Sequence, residues 1–176
     1  MKNIVLIGMM GSGKSTVGQL LAQRLNCTLV DTDKLIEARE GMAVSEIFET
    51  MGEPYFRALE VGVAQALSLR SDLIIASGGG LPLQEVAIKA LKDSGVVIWL
   101  DRDPGEIFDT VDLTGRPLAQ TDREGFIRRR DGRAPVYEKW ADATIHDFTS
   151  PISTAARVKE AVEAILSWEK GEKEDN

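Results

Sequence analysis

A short apolar run near the start of the chain leads into a glycine-rich segment and then into a helical pattern. Residues 8–15 read GMMGSGKS and follow the run Asn3–Ile7. They fit the pattern G-x-x-x-x-G-K-[ST], whose glycines let successive backbone N–H groups point at phosphate oxygens. A helix predicted over Lys14–Leu25 places its positive end at the same point. The chain is therefore restricted to folds in which a buried strand runs into a phosphate-binding loop.

Each residue of this loop has an expected task if the ligand is a nucleoside triphosphate. Lys14 would reach the β- and γ-phosphates, and Ser15 would bind a single Mg²⁺ ion. The residues expected to contact the phosphates are Gly11, Ser12, Gly13, Lys14, Ser15 and Thr16. The sequence thus predicts ATP as co-substrate and Mg²⁺ as cofactor. The alternative is a glycine-rich turn with only a structural role.

The rest of the chain alternates short apolar runs with longer helical patterns. Further strands are predicted at residues 28–30, 72–76, 95–100 and 143–145. This alternation predicts a three-layer α/β fold with a doubly wound, five-stranded parallel sheet. We expect one domain over residues 1–176, a helix over Arg123–Trp140 interrupted near Gly132 and Pro135, and a frayed tail at 170–176.

Ligands of a doubly wound sheet bind at the carboxyl ends of its strands, which directs attention to the residues found there. Asp31 and Asp33 follow the second strand. Such a pair can divide two tasks, one carboxylate acting on Mg²⁺ and its water and the other on an acceptor hydroxyl. Asp33 could also cap the following helix. Residues 78–80, all glycine, follow the third strand and either admit a ligand close to the backbone or form a tight connection.

Two groups of charged residues stay ambiguous from the sequence alone. Arg57 and Glu60 lie three residues apart on one predicted helix, as a surface ion pair also would. A cluster of arginines between residues 116 and 133 suits a small anionic ligand, although for the run 128–130 alone a solvated helix face with alternating charges is the favoured explanation.

Composition limits which binding partners and which cellular compartment we expect. The formal net charge of −7 argues against nonspecific nucleic-acid binding. Cys27, the single cysteine, cannot form an internal disulfide, which favours a reducing compartment. No apolar run approaches the roughly 20 residues of a membrane helix. We expect a cytoplasmic monomer that binds neither nucleic acid nor membrane.

Taken together, these motifs resemble those of the shikimate kinases. Besides GMMGSGKST and DTD, the chain has IFETMGEPYFRALE at residues 47–60, SGGG at 77–80, RPL at 116–118 and RAPVYEKWAD at 133–142. The motifs stand in the family's order from Asn3 to about Val162. Many NTPases share the phosphate loop, whereas the combination is far more specific.

The resemblance implies transfer of the γ-phosphoryl group of ATP to the 3-hydroxyl of shikimate, on the route to chorismate and aromatic amino acids. It implies three catalytic residues, Lys14, Asp33 and Arg116, with Asp33 contacting the acceptor hydroxyls as a base. Asp31 would bind Mg²⁺ through water. Arg116 would belong to a lid, about residues 111–122, that closes over the phosphates and stabilises the transferring group.

The same resemblance assigns the acceptor site. Arg57 and Arg133 would hold the shikimate carboxylate, because the donors of an arginine fork match the two carboxylate oxygens. Gly79 and Gly80 would offer backbone N–H groups to the acceptor. Glu60 would contact Arg57 rather than the acceptor and hold its guanidinium in place.

The nucleoside end departs from the family pattern. Members often hold adenine beside two arginines, one on the helix before the lid and one just before the proline that opens the last helix. Residues 107–110 and 147–151 contain no arginine here. Phe108 or Phe148 could supply a face for adenine, or both could belong to the core.

Two other functions stay open. A kinase for another polyol acid, such as gluconate, would share the phosphate loop without needing Arg57, Arg133 and the glycines together. A nucleotide-binding module that has lost catalysis could regulate a partner, although Lys14, Asp33 and Arg116 argue against it.

Overall fold

The computed structural model of this chain describes residues 1–112 and 122–174, and within them five parallel strands form one sheet. The strands are β1 (Asn3–Ile7), β2 (Thr28–Asp31), β3 (Leu73–Ala76), β4 (Gly95–Leu100) and β5 (Ala143–Ile145), in the order β2-β3-β1-β4-β5. Every pairing between neighbours is parallel. The predicted doubly wound parallel sheet is confirmed.

The helices are α1 (Lys14–Leu25), α2 (Thr32–Glu40), α3 (Val44–Thr50), α4 (Glu53–Ser68), α5 (Glu85–Ser94), α6 (Pro104–Thr110), α7 (Arg123–Trp140) and α8 (Pro151–Glu174), with a 3₁₀ turn at Leu81–Leu83. They cover both faces of the sheet. In the described residues, none of them combines the length and the apolar character that crossing a membrane requires.

The central strand β1 shows how the sheet separates two hydrophobic cores. All five of its residues are buried. Val5 and Ile7 belong to a core shared with α4, α5 and α7, whereas Ile4 and Leu6 belong to a core shared with α1 and α8. Burial on both faces explains why the strands are continuous apolar runs, and it gives the predicted three layers.

Helix α7 differs from the expectation. It runs from Arg123 to Trp140 without interruption and contains Pro135 in its interior, so the predicted break was wrong. Proline removes one hydrogen bond of the helix and crowds the preceding turn. Phe126 and Tyr137 are fully buried on either side of it, and this packing holds the helix together across the proline.

The two ends of the predicted domain have different outcomes. Helix α8 continues through residue 170 to Glu174, so the described part of the tail is helical where we expected fraying. The predicted lid at 111–122 falls mainly on residues 113–121, and these, with Arg116, lie outside the described residues.

Candidate active site

The phosphate-binding loop curls around the side chain of Lys14. Gly8, Gly11 and Gly13 have φ values of 142°, 78° and 95°, which favour glycine. The Lys14 ammonium donates hydrogen bonds to the carbonyl oxygens of Gly8 and Met9, at 2.9 and 2.7 Å. The loop is thereby already closed on itself, with the first turn of α1 directly behind it.

Asp31 joins this loop to the end of β2. Its Oδ2 accepts a hydrogen bond of 2.6 Å from the Ser15 hydroxyl, while its Oδ1 accepts from the backbone N–H groups of Asp33 and Lys34. Asp31 is therefore the residue that caps α2, and the alternative in which Asp33 caps this helix was wrong.

The oxygens of Ser15 and Asp31 suit a hard divalent cation. Magnesium typically takes one or two protein oxygens and completes its shell with water and phosphate. In the described part of the chain there is no cluster of three or more acidic, histidine or cysteine side chains that could form an all-protein cage. The donor set thus fits Mg²⁺ held jointly with a nucleotide.

The three glycines after β3 are explained by close approaches. A Cβ at Gly78 would collide with the Asp33 carboxylate, and one at Gly80 would collide with the Arg57 guanidinium. A Cβ at Gly79 would lie 3.2 Å from the backbone nitrogen of Met10. The positive φ values of described glycines lie elsewhere in the chain. Close approach of functional groups, rather than an unusual turn, therefore requires glycine at these positions.

The backbone of these glycines is anchored from two sides. Gly78 donates its N–H to the Thr32 hydroxyl at 2.8 Å. The carbonyl oxygen of Gly79 accepts hydrogen bonds from the Tyr137 hydroxyl at 2.6 Å and from Arg133 Nη1 at 3.3 Å. Helix α7 thus fixes the glycine segment against the phosphate loop.

Arg57 and Glu60 form a buried pair rather than a surface one. Glu60 is 0% exposed, and its Oε2 accepts hydrogen bonds of 2.7 Å from Arg57 Nη1 and from the Gln84 amide. The Nε and Nη2 atoms of Arg57 donate to Glu53 at 3.1 and 2.8 Å. The guanidinium is therefore held in one orientation from both edges.

Burial raises the pKa of Glu60 from 4.5 to about 7. The charge and the hydrogen bond of Arg57 lower this pKa, and the charge of Arg133 lowers it as well. The nearby Asp33 carboxylate raises it. The carboxyl that orients Arg57 consequently changes its charge close to neutral pH.

The structure brings the predicted site residues into one cavity of about 630 Å³. Its lining includes Gly11, Gly13, Lys14, Ser15, Thr16, Asp31, Asp33, Arg57, Glu60, Gly79, Gly80 and Arg133. Of the other predicted residues, Ser12 is buried within the loop, with its hydroxyl 3.5 Å from the Lys14 ammonium. Arg116 lies outside the described residues.

Several residues of the site escaped sequence reasoning. Ser77, which is 3% exposed, lines the cavity with a buried hydroxyl that has no hydrogen-bond partner in the described residues. Gln84 reaches Glu60 from the start of α5, and Tyr137 reaches Gly79. Ser77 and Tyr137 stood inside the recognised motifs, but nothing in their spacing distinguished them from core residues.

Arg102 was also missed, although it directly follows β4 at a strand end. It lines the cavity beside Val111 and donates hydrogen bonds to Glu106 and to the Thr110 hydroxyl. Phe108 packs against the Phe126 ring at 5.9 Å, and Phe148 packs against the core of α1 and α8. Neither phenylalanine is among the described residues that line this cavity.

Comparison with known proteins identifies relatives along most of the chain. The family model described as shikimate kinase matches residues 10–167. The shikimate kinase of Caldanaerobacter subterraneus subsp. tengcongensis is 45% identical over 148 residues, which cover 82% of this chain and 86% of the relative. That of Moorella thermoacetica is 39% identical over 171 residues, covering 94% and 95%.

Solved structures give the same result for the fold. A shikimate kinase from Acinetobacter baumannii in complex with shikimate superposes with a TM-score of 0.84 at 34% identity, covering 95% of this chain and 94% of the other. A gluconokinase from Sinorhizobium meliloti reaches a TM-score of 0.57 at 14% identity, covering 95% and 97% of the two chains. The second likeness extends to the fold alone.

Tyr137→Phe should destabilise the protein, because it removes the 2.6 Å hydrogen bond to the Gly79 carbonyl in a fully buried site. The free energy of unfolding should fall by about 1–2 kcal/mol, measured by urea denaturation. Tyr55→Phe is the matched control, since the Tyr55 hydroxyl pairs with Glu40 at the surface; its effect should stay within about 0.5 kcal/mol. Equal effects of both variants would contradict an anchoring role for Tyr137.

Proposed function

The chain belongs to the shikimate kinase family and is an ATP-dependent kinase that phosphorylates shikimate; from this premise we propose how its cavity performs the transfer. One observation carries the proposal. The phosphate loop, Arg57 and Arg133 line the same cavity, and Asp33 lies in it beside Gly78.

The arginine end would hold the acceptor by its carboxylate. Arg57 is fixed by Glu53 and Glu60 and retains N–H groups that these bonds do not use. Arg133 is 9% exposed and is tied to the Gly79 carbonyl. Two oriented guanidinium groups in a largely buried setting match a carboxylate through charge-assisted hydrogen bonds. We propose that Gly79 and Gly80 bring their backbone against the acceptor ring.

The loop end would hold the triphosphate. Lys14 exchanges its bonds to the loop carbonyls for bonds to the β- and γ-phosphates, and the amides of residues 11–16 bind their oxygens. We propose that Ser15 contacts one Mg²⁺ directly and that Asp31 contacts it through water. When bound, this ion neutralises charge that develops on the phosphate oxygens.

Asp33 would act on the acceptor hydroxyl. Its Oδ1 is buried beside Gly78, where a side chain on the glycine would displace it. The carboxylate takes the proton of the 3-hydroxyl as that oxygen attacks the γ-phosphorus. The bond between the γ-phosphorus and the oxygen that bridges to the β-phosphate breaks, and ADP leaves with this oxygen. Arg116 remains the predicted residue that stabilises the transferring group from the lid.

This chain lacks the two arginines beside which members of the family often hold adenine, so another residue has to contact the base. The cavity lining also includes Arg102 and Val111, which belong neither to the phosphate loop nor to the proposed acceptor residues. Glu106 and Thr110 hold the Arg102 guanidinium in place. We propose that its flat face packs against the adenine ring.

The remaining expectations concern the form of the protein. We propose a single catalytic domain over residues 1–176 that acts as a cytoplasmic monomer and binds neither nucleic acid nor membrane. Its net charge of −7 and its single cysteine support this proposal.

The acceptor is tested by ADP production with shikimate, with gluconate and without an acceptor. Shikimate should raise the rate far above the rate without acceptor, because only a carboxylate-bearing ring fills the arginine end and places its hydroxyl at Asp33. Gluconate should leave the rate near the background. Equal rates with and without shikimate would exclude the proposed function.

Asp33→Asn should lower kcat by about 10²–10⁴-fold, the usual contribution of a general base. ATP should still protect the variant against thermal unfolding, since the phosphate loop is unchanged. Asp93→Asn is the control, because Asp93 pairs with Lys89 on the exposed face of α5, and its kcat should match the wild type. Near-normal turnover of Asp33→Asn would show that another group takes the proton.

Arg102→Ala should raise the KM for ATP about fivefold, as expected for loss of a guanidinium stacked on a ring, and leave the KM for shikimate unchanged. Arg157→Ala is the control, since Arg157 also bonds a glutamate a few residues further along the chain but lies on α8. A KM for ATP that is the same in both variants would remove Arg102 from the nucleoside end.

A further inference from the structure

Arg129 differs from the other half-buried or buried arginines in the described residues because no hydrogen bond or ion pair satisfies it. Its Nη1 is buried without a hydrogen-bond partner. Its neighbours in the sequence are both paired: Arg128 bonds to Glu124 at the surface, and Arg130 binds Asp101 through two nitrogens. An unpaired cationic donor shielded from water is costly and calls for a physical reason.

Arg129 is not among the described residues that line the cavity, but its position relates it to Arg133, which is. It lies on α7 four residues before Arg133, so both side chains leave the same face of the helix. Burial lowers the pKa of the Arg129 guanidinium, the charge of Arg133 lowers it further, and only Glu53 acts in the opposite direction. Glu53, which acts on Arg129, is therefore also a hydrogen-bond partner of Arg57.

Glu53 does not satisfy Arg129 in this structure. Its carboxylate already accepts two hydrogen bonds from the Nε and Nη2 atoms of Arg57. Glu53 acts on both Arg57 and Arg129, whereas Glu60 bonds to Arg57 and Gln84. In the described residues, Arg129 therefore has no carboxylate bonded to it and can accept an incoming anion.

We propose that Arg129 is a third arginine of the acceptor site, which pairs with the carboxylate of shikimate together with Arg57 and Arg133. This inference rests on the proposed function, because it takes the acceptor carboxylate to lie at these arginines. An ionised carboxylate offers about four acceptor positions, enough for three guanidinium groups. Binding the acid would satisfy a donor that has no hydrogen-bond partner in the described residues.

The arginine run offers a matched pair of variants. Arg129→Met and Arg128→Met remove the same charge from adjacent residues and keep most of the apolar stem. Arg128 has a 69% exposed side chain paired only with surface carboxylates, so its loss reports the effect of net charge alone.

Arg129→Met should raise the KM for shikimate about tenfold, the effect of losing one hydrogen bond to a charged group, whereas Arg128→Met should change it less than about twofold. The KM for ATP should stay at the wild-type value in both variants, since the phosphates lie at the other end of the cavity. Equal KM values for shikimate in the two variants would overturn the inference, as would a rise confined to the KM for ATP.

Thermal unfolding separates ligand recognition from a structural role. Without ligand, Arg129→Met should melt at or above the wild-type temperature, because it removes an unpaired buried donor. The increase in melting temperature caused by shikimate should be smaller than in the wild type. A ligand-free variant that melts below both the wild type and Arg128→Met, with an unchanged response to shikimate, would show a structural role and overturn the inference.

The controls also separate this inference from the proposed function. If wild-type protein fails to use shikimate, the function itself is wrong. If wild type uses shikimate, Arg133→Ala raises the KM for shikimate, and Arg129→Met behaves as Arg128→Met, then the function stands and the role of Arg129 is refuted.

Discussion

The arrangement of the site depends on one buried carboxylate, that of Glu60. It is 0% exposed, it orients Arg57 and receives the Gln84 amide, and its second oxygen has no hydrogen-bond partner in the described residues. Removing one partner of such a pair typically costs about 3–5 kcal/mol, because the other charge is left uncompensated. The orientation of Arg57, which is proposed to bind the acceptor, thus depends on the same buried carboxylate as the stability of the core next to α4.

The pKa of Glu60 sets two requirements against each other, namely the orientation of Arg57 and the stability of the folded protein. Because it rises from 4.5 to about 7 on folding, the folded state binds more protons than the unfolded state between these values. The free energy of unfolding therefore decreases as the pH rises through this window. The ionised form, which best holds Arg57, is the form that burial disfavours. Ionisation of Glu60 therefore strengthens its pairing with Arg57 and at the same time lowers the free energy of unfolding.

Local sequence patterns predict the sheet and one edge of the cavity, whereas Arg57 and Arg133 were assigned to the cavity only through the family resemblance. Buried parallel strands are continuous apolar runs, and their carboxyl ends meet at one edge, so the loop, Asp31, Asp33 and the glycines could be grouped before any coordinates were known. The uninterrupted course of α7 could not be predicted from the sequence, since packing on both sides of Pro135 outweighs the local tendency of proline to break a helix. Gln84 was missed for a related reason: its contact with Glu60 joins residues 24 apart in the sequence.

The run at residues 128–130 shows the limit of such reasoning most directly. Three identical side chains occupy three environments. Arg128 lies at the surface, Arg129 is half-buried with no partner for its Nη1 in the described residues, and Arg130 binds Asp101 and lies 5.5 Å from the centre of the Trp99 ring. The alternative of a solvated helix face describes Arg128 correctly and Arg130 incorrectly. Since successive helical residues point about 100° apart, adjacent arginines necessarily face different neighbours. Only Arg129 faces the charges around Arg57, and its missing partner is the kind of local cost that a protein retains when a ligand relieves it.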